Sequence, residues 1–304
     1  MNGEIGTYTF LPWLRQGIAN KIQSGDLDAS VKTRASITVN LNLKGTDGEG
    51  GDVSAAVPRQ VALYGPGDIV GIESAAIIRH EPNDWITNFE PNYLPHIEFY
   101  DEDFPCRYTP AAPAGGRLRP WIALVVLTEE EFKEGGNILD KPLPFIEITA
   151  NPMDSVFPVA EELWAWAHVH VNKNLAGNAA APQAPIMDSV LTQVELLLSQ
   201  QPDMAYSRLI SPRKLAPNTG YHAFLIPTFE TGRLAGLGMD PATSPHATFS
   251  AWGPGRDVPA LMPFYYRWYF RTGSRGDFEF LVRLLEPKPA DERVGRRDID
   301  VQRP

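Results

Sequence analysis

The sequence predicts an α+β protein with a largely antiparallel β-sheet, a few short helices, and a part built from repeated strand–helix units. Residues 36–43 alternate apolar and polar side chains, as a half-buried antiparallel strand does. Three later segments each place an apolar strand before a short acidic or amphipathic stretch. With 304 residues and 43% hydrophobic content, the chain is long enough to bury a large core around these elements.

The first predicted element is an amphipathic helix that begins near Pro12. Leu14, Ile18 and Ile22 fall on one helical stripe. Proline suits the start of a helix, because its missing N–H has no partner to lose there. The stripe can pack on the protein's own core or on another subunit, and both interpretations stay open.

Short strands are predicted to fill the rest of the first hundred residues. Apolar side chains of the first strand share one face and its polar side chains share the other. The segment 45–52 is a Gly- and Asp-rich loop, and further strands are predicted at 60–64, 69–72 and 75–79. Together with a Pro- and aromatic-rich connector, these elements predict an N-terminal β-rich unit over residues 1–116.

Residues 117–287 are predicted to form an α+β unit, followed by a charged tail or linker at 288–304. The three strand–helix copies are predicted at 120–132, 221–234 and 264–285. Between the first two copies, residues 161–171 alternate as a strand would, which would place Trp164, Trp166, His168 and His170 on one face. A helix is predicted at 189–200, where apolar residues recur at helical spacing.

The net charge and the cysteine content indicate which partners and which cellular compartment to expect. A formal net charge of −10 disfavours nucleic acid or an anionic membrane as the primary partner, because a polyanion requires a basic surface. The single cysteine, Cys106, cannot form an internal disulfide, which favours a reducing compartment. The N-terminal residues lack the pattern of a signal peptide, and no apolar run approaches the roughly 18 residues of a spanning helix. We expect synthesis and assembly in the cytoplasm and no membrane insertion.

Chemistry-bearing motifs are sparse in this sequence. His168 and His170 have a spacing used in some metal sites, but no third ligand is evident nearby, so they are weak metal candidates. The acidic runs 101–103 and 129–131 supply paired carboxylates, and the second suits the first turn of a helix. No phosphate-binding loop, dinucleotide fingerprint or nucleophile elbow is present. The sequence therefore predicts no catalytic residue, no cofactor and no enzymatic activity.

Four long segments carry a family resemblance. They are GTYTFLPWLRQGIA at 6–19, RLRPWIALVVL at 117–127, WAWAHV at 164–169 and PTFETGRLAGLG at 227–238. They resemble a bacterial family of undefined biochemistry, similar to proteins associated with phage-tail-like extracellular contractile injection systems. The resemblance extends over nearly the whole chain and brings no catalytic residues with it.

This resemblance implies a structural or accessory component of a contractile injection particle that acts by protein–protein docking. Its partners would be other subunits of the particle, homo-oligomers stay open, and the protein would be released as part of an extracellular particle. Aromatic and arginine anchors usually carry such interfaces. The predicted partner-binding residues are Trp13, Leu14, Ile18, Arg293, Arg296 and Arg297. Two alternatives are a metal-dependent or hydrolytic enzyme carried as cargo, with His168 and His170 as its first candidates, and a carbohydrate-binding module built on Trp164 and Trp166.

Overall fold

The computed structural model describes residues 9–11, 22, 33–114, 117–135, 141–149, 156–173, 184–253, 261–274, 282 and 285–286. In chain order its strands are β1 (Thr9–Leu11), β2 (Ser36–Thr46), β3 (Asp52–Ala62), β4 (Ile77–Glu81), β5 (His96–Phe99), β6 (Ile122–Leu127), β7 (Phe132–Glu134), β8 (Phe145–Ile148), β9 (Ala167–Val171), β10 (Ala205–Ile210), β11 (Gly220–Pro227), β12 (Leu261–Pro263) and β13 (Tyr266–Arg271). The α-helices are α1 (Ala184–Gln200) and α2 (Glu230–Gly236). Every ladder between these strands is antiparallel, so the predicted antiparallel, β-rich fold with helices is confirmed.

A five-stranded sheet has the order β1-β9-β10-β5-β4 and combines strands from both sides of residue 116. Alternation along β10 sets its two faces, because Ser207 and Leu209 are buried while Tyr206 and Arg208 are half-buried. At one end the buried face packs against α1 through Val194 and neighbouring residues. The other face carries polar and charged side chains.

A three-stranded sheet, β13-β11-β6, lies between two apolar clusters. All six residues of β6 are buried, because its uninterrupted apolar run has no polar side to turn toward water. In β11, Phe224 belongs to one cluster, whereas Ala223 and Leu225 belong to the other. This sheet is therefore the centre of the described core.

The remaining sheets are smaller. Strands β12, β8 and β7 form a three-stranded sheet in that order, and Ile146 and Met262 bury its inner side in the cluster that holds Phe224. Strands β2 and β3 form a two-stranded sheet of their own. Across the residues described, no helix combines the length and the apolar character that crossing a membrane requires.

Of the three strand–helix copies, the structure shows the second, in which β11 leads into α2. After β6 the predicted helix at 128–132 is wrong, because a tight turn forms in which the Thr128 N–H donates to the Glu131 carboxylate at 2.7 Å. Arg213 binds the same carboxylate at 2.6 and 2.7 Å, and β7 starts at the next residue. The predicted helix of the third copy falls largely outside the described residues, as does most of the predicted helix near Pro12.

Two strand predictions also differ from the structure. Residues 69–72 form no strand, because a 3-10 turn at Pro66–Asp68 and a second one at Ser74–Ala76 flank an irregular connection. Residues Ala160–Trp166 form a 3-10 helix, so β9 begins only at Ala167. The predicted row of two tryptophans and two histidines on one strand face is therefore wrong for the tryptophans.

Candidate docking surface

Strands β2 and β3 pair with each other over all eleven residues of each strand. The connection between them is a tight turn centred on Asp47, whose side chain accepts hydrogen bonds from the N–H groups of Glu49 and Gly51 at 3.0 and 2.6 Å. Gly50 adopts φ 83 in this turn, a left-handed conformation that glycine takes without steric cost. The Gly- and Asp-rich loop in the sequence therefore encodes the tip of a long hairpin.

The register divides the hairpin into an apolar face and a polar face. Cross-strand neighbours on the first face include Leu41 with Val57 and Leu43 with Ala55. On the opposite face Thr38 lies across from Gln60, whose side-chain amide donates to the threonine hydroxyl at 2.8 Å. The apolar face comprises Ile37, Val39, Leu41, Leu43, Val53, Ala55, Val57 and Val61, with Arg59 as its charged member.

Most of this apolar face is exposed to solvent. Only Ser36 and Ile37 at the base of β2 are buried, whereas Leu41 and Leu43 are 48% and 58% exposed. The alternation predicts a half-buried strand. The alternating pattern is confirmed, but Leu41 and Leu43 are exposed and not buried as expected. A two-stranded hairpin is marginally stable in water, and a contiguous exposed apolar patch typically marks an interaction site.

The base of the hairpin is fixed to the body of the protein. Ile37 packs with Ala35, Leu118 and Ile22 in a buried cluster. The Leu63 N–H donates to the Ala35 carbonyl at 2.8 Å and extends the ladder by one pair. The hairpin is therefore an arm that projects from a firm base.

The two edges of the hairpin differ in their capacity to bind another strand. Because residues 35 and 63 form a hydrogen-bonded pair, alternation makes Asn40 and Pro58 a pair without inter-strand hydrogen bonds. The Pro58 nitrogen therefore points to the open edge of β3, where it offers no donor. On β2, Thr38, Asn40 and other even-numbered residues present their backbone groups at an edge without proline. The β2 edge is the more suitable one for an added strand.

The polar face of the five-stranded sheet is the second candidate surface. Glu98 is 3% exposed, and its carboxylate accepts hydrogen bonds from Arg79 Nε at 2.7 Å and from Arg208 Nε at 2.9 Å. Burial by itself raises the pKa of Glu98, but the hydrogen bonds and charges of the two arginines outweigh burial and lower it. Glu98 is therefore a carboxylate already satisfied by two partners within the sheet.

His168 and His170 lie on the same face of β9, with ring centroids 6.4 Å apart. His170 stacks on Tyr206 at 4.9 Å, and burial, followed by the charges of Arg208 and His168, lowers its pKa to about 3. His168 forms a hydrogen bond with the Ala165 carbonyl at 2.8 Å, and burial lowers its pKa as well. In the described ranges no three His, Cys, Asp or Glu side chains are arranged to hold a metal ion, so no third ligand supports this pair.

One small pocket brings His168 of β9 next to Glu102 and Cys106, which lie more than 60 residues earlier in the sequence. Burial, together with the charge of Asp103, raises the pKa of Cys106 to about 12. A reactive cysteine requires a thiolate in an electropositive environment, and this thiol stays protonated. Burial also raises the pKa of Glu102. The arrangement of these groups gives no support to a nucleophilic cysteine.

Trp164 and Trp166 do not form a platform. The Arg117 guanidinium lies 3.8 Å from the centre of the Trp164 ring. Trp166 lines a small apolar pocket with residues of β6, including Ile122 and Leu124. Each tryptophan is thus engaged by a different part of the protein.

The predicted anchors Trp13, Leu14, Ile18, Arg293, Arg296 and Arg297 all lie outside the described residues. Sequence reasoning missed the hairpin as a docking surface. The signal was available, because 52–62 also alternates, and pairing it with 36–46 across the Asp47 turn joins two apolar faces into one. Comparisons with protein-family models, curated proteins and solved structures found no match to this chain.

Proposed function

We propose that this chain is a structural or accessory component of a contractile injection (phage-tail-like) particle and acts by protein–protein docking. The observation that supports docking is the β2–β3 hairpin with its exposed apolar face. The resemblance of the segments 6–19, 117–127, 164–169 and 227–238 supports the particle context. The protein would be made and assembled in the cytoplasm and released within the particle.

The partner that fits the hairpin is another protein subunit with an apolar strip and an accessible strand edge. The hairpin carries two basic residues, Lys44 and Arg59, and three acidic ones at 47, 49 and 52, so its net charge is +2 − 3 = −1. A nucleic acid or an anionic membrane would require a clearly positive surface. An apolar face beside an open strand edge fits strand addition between proteins.

The free energy available from the hairpin is modest. Burying five half-exposed aliphatic side chains contributes roughly 5 kcal/mol, at about half the value of a full burial for each. Association costs about 4–15 kcal/mol in lost translational and rotational freedom. The hairpin alone therefore supports weak binding, as is suitable for a subunit held by several contacts at once. Trp13, Leu14, Ile18, Arg293, Arg296 and Arg297 stay proposed as additional anchors.

The test compares two charge substitutions on opposite faces of β2. The double variant Leu41→Lys, Leu43→Lys places two charges on the apolar face, and its matched control, Asn40→Lys, Asn42→Lys, places the same charges on the polar face. Each tagged chain is expressed in the native host, and co-purifying proteins are identified by mass spectrometry. We expect the control and the unmodified chain to recover sheath, tube or baseplate proteins and the apolar-face variant to lose them.

Circular dichroism melting curves establish that both variants are folded, since the substituted side chains are exposed and should leave the melting temperature nearly unchanged. Equal recovery of particle proteins by both variants would show that the hairpin is not the contact. Recovery of no particle protein by the unmodified chain would remove the particle assignment itself.

The predicted N-terminal anchors require substitutions rather than a truncation. Deleting residues 1–22 would remove β1, which pairs with β9, and would remove Ile22 from a buried cluster. Trp13→Ala with Ile18→Ala leaves both in place. We expect this variant to recover less particle protein in the same pull-down, and unchanged recovery would exclude these residues as anchors.

A further inference from the structure

Trp85 combines two unusual properties, exposure and an unfavourable backbone conformation. Its side chain is 71% exposed, although tryptophan is usually largely buried. Its φ is 62, in the left-handed region, where bulky residues are genuine outliers. Both properties lower the stability of the folded protein, because the apolar ring stays in water and the backbone is strained. Strain of this kind is typically found where a residue serves a function.

The backbone around Trp85 is held by hydrogen bonds to the outer edge of β13. The Trp85 N–H donates to the Tyr269 carbonyl at 2.7 Å, and the Tyr269 N–H donates to the Asp84 carboxylate at 2.9 Å. One step further along, the Arg271 N–H donates to the Ile86 carbonyl at 2.7 Å. These bonds fix the backbone that carries the Trp85 ring before any ligand arrives, which lowers the entropic cost of binding.

Tyr269 supplies a second ring beside Trp85. The two ring centroids are 4.8 Å apart with an interplanar angle of 47°, and His222 lies 4.9 Å from Tyr269 on the other side. Gly220 on the paired strand allows this arrangement, because a Cβ there would lie 2.8 Å from the Tyr269 hydroxyl. The two rings form an angled aromatic surface, which we call the Trp85 platform.

Polar residues are exposed on the backbone segments that adjoin the Trp85 platform. They include Asp84, Thr87, Asn88, Asn218 and Arg271. The Arg271 guanidinium donates to the Asn218 carbonyl at 2.8 Å, which joins two of these segments. A protein hot spot usually lies within a wider apolar core. The rim here instead offers carboxylate, amide and hydroxyl groups.

We propose that the Trp85 platform binds an oligosaccharide of pyranose sugars. The C–H face of a pyranose ring is apolar and stacks on an aromatic ring, whereas its equatorial hydroxyls require donors and acceptors beside the stack. The platform and its rim supply both. An exposed ring suits a chain of sugars better than a single small molecule, which usually binds in a concave pocket. This inference is independent of the hairpin and of the proposed particle function.

The test titrates the full-length chain with defined tetrasaccharides by isothermal calorimetry. The probes are β-1,4-linked tetramers of glucose and of N-acetylglucosamine and the α-1,4-linked tetramer of glucose. We expect saturable binding of at least one probe with a Kd of about 0.1–1 mM. Trp85→Gly removes the ring and adopts φ 62 freely, so its melting temperature should hold or rise while binding weakens about tenfold or more.

Tyr269→Ala is the second variant and should weaken binding in the same way. Tyr100→Ala is the matched control, because Tyr100 is an aromatic residue that is 58% exposed and lies directly after β5. This variant should bind the sugars as the unmodified chain does. Absence of saturable binding at about 10 mM sugar, or equal binding by Trp85→Gly, overturns the proposal. Trp85-dependent binding of single-stranded oligothymidine without sugar binding also overturns it, because the platform would then stack bases.

Discussion

At the residue scale, Glu98 shows how a charge is kept inside this sheet. Two arginines on neighbouring strands, Arg79 and Arg208, bind its carboxylate from either side. Removing one member of a buried ion pair leaves the remaining charges without compensation, which costs more than the pair itself contributes. Glu98 is therefore important for stability mainly because its removal would leave Arg79 and Arg208 without a counter-charge.

Glu98→Gln should lower the free energy of unfolding by about 3 kcal/mol, because a neutral amide cannot satisfy both guanidinium groups. Urea unfolding at pH 7 measures the difference. Glu134→Gln is the control, since Glu134 pairs with Arg267 on the surface and is 58% exposed, where water screens the pair to well under about 1 kcal/mol. Equal losses for the two variants would contradict this account of Glu98. The Glu98→Gln deficit should shrink in acid, because a lowered folded-state pKa gives stability that disappears as the carboxylate is protonated.

His170 should make the protein less stable in acid. Its folded-state pKa of about 3 lies below the ordinary 6.5, so between these values the unfolded chain binds a proton that the folded chain does not. Stability therefore rises with pH across that window, by at most about 1.4 kcal/mol per pH unit for one proton. His170→Phe keeps a ring against Tyr206 and should flatten this part of the stability–pH curve, measured by urea unfolding at several pH values. His246→Phe, at an exposed position, is the control. If the free energy of unfolding of His170→Phe depended on pH as that of the unmodified chain does, His170 would not be the source of the acid sensitivity.

At the element scale, α2 is a short helix that lies very close to its neighbours. A Cβ at Gly236 would lie 2.8 Å from Pro263 and 3.0 Å from Leu143. A proline ring cannot rotate away as a flexible side chain can. The sequence motif that opens with Pro227 therefore uses its glycines for close packing of α2 against the strands.

Gly236→Ala should destabilise the protein by about 1–2 kcal/mol. Alanine gains about 1 kcal/mol in helix propensity, but overpacking against a rigid ring costs about 1–3 kcal/mol, and the contact distances favour the upper part of that range. Thermal unfolding measures the change. Gly71→Ala is the control, because nothing lies within 4 Å of a Cβ there and the substitution should be neutral or slightly stabilising. A Gly236→Ala protein as stable as the unmodified chain would show that Pro263 can move aside.

The elements also show how far the sequence alone leads. The alternation at 36–43 correctly predicted β2, because the period of side-chain direction is local. It could not predict that Leu41 and Leu43 stay exposed, since burial depends on whether another part of the chain covers them. The sequence predicts Glu131 in the first turn of a helix, whereas Arg213, 82 residues away, binds it in a turn. A partner at that distance leaves no local signal.

For the candidate sites too, the sequence predicts what depends on local spacing and not what depends on distant segments. His168 and His170 were correctly placed on one strand face, because their spacing alone determines it. The lowered pKa values of the two histidines could not be predicted, because the segments that bury them are distant in the sequence. For the same reason the sequence does not show that Cys106 lies in one pocket with His168. The aromatic residues of the connector, Trp85 among them, are expected from the sequence to be packed, because large rings are costly to leave in water. This is wrong for Trp85, which is 71% exposed on a left-handed backbone, a combination that has no sequence signature.

At the scale of the whole molecule, one sheet serves two cores. Side chains of β6 and β11 alternate between the cluster containing Trp252 and the cluster containing Trp121. Neither cluster can lose its packing without exposing the back of the strands that support the other. The described body should therefore unfold as one unit.

We expect thermal unfolding followed by far-ultraviolet circular dichroism and by tryptophan fluorescence to give a single, coincident transition. Calorimetry provides the check, because one cooperative unit gives equal calorimetric and van't Hoff enthalpies. Ala223→Asp would introduce an unpaired charge into the centre of the shared sheet and should lower the stability of both clusters together. Two separate transitions would show that the clusters are independent.

The firm base of the hairpin has a mechanical consequence. Each strand is about 37 Å long, and both strands enter the body side by side at Ala35 and Leu63. Tension applied to the tip along the arm therefore runs through two covalent backbones in parallel and does not load the hydrogen bonds between them. The force arrives at the cluster of Ile37 and Leu118. An arm of this construction can transmit a pull from a neighbouring subunit without separating its own strands.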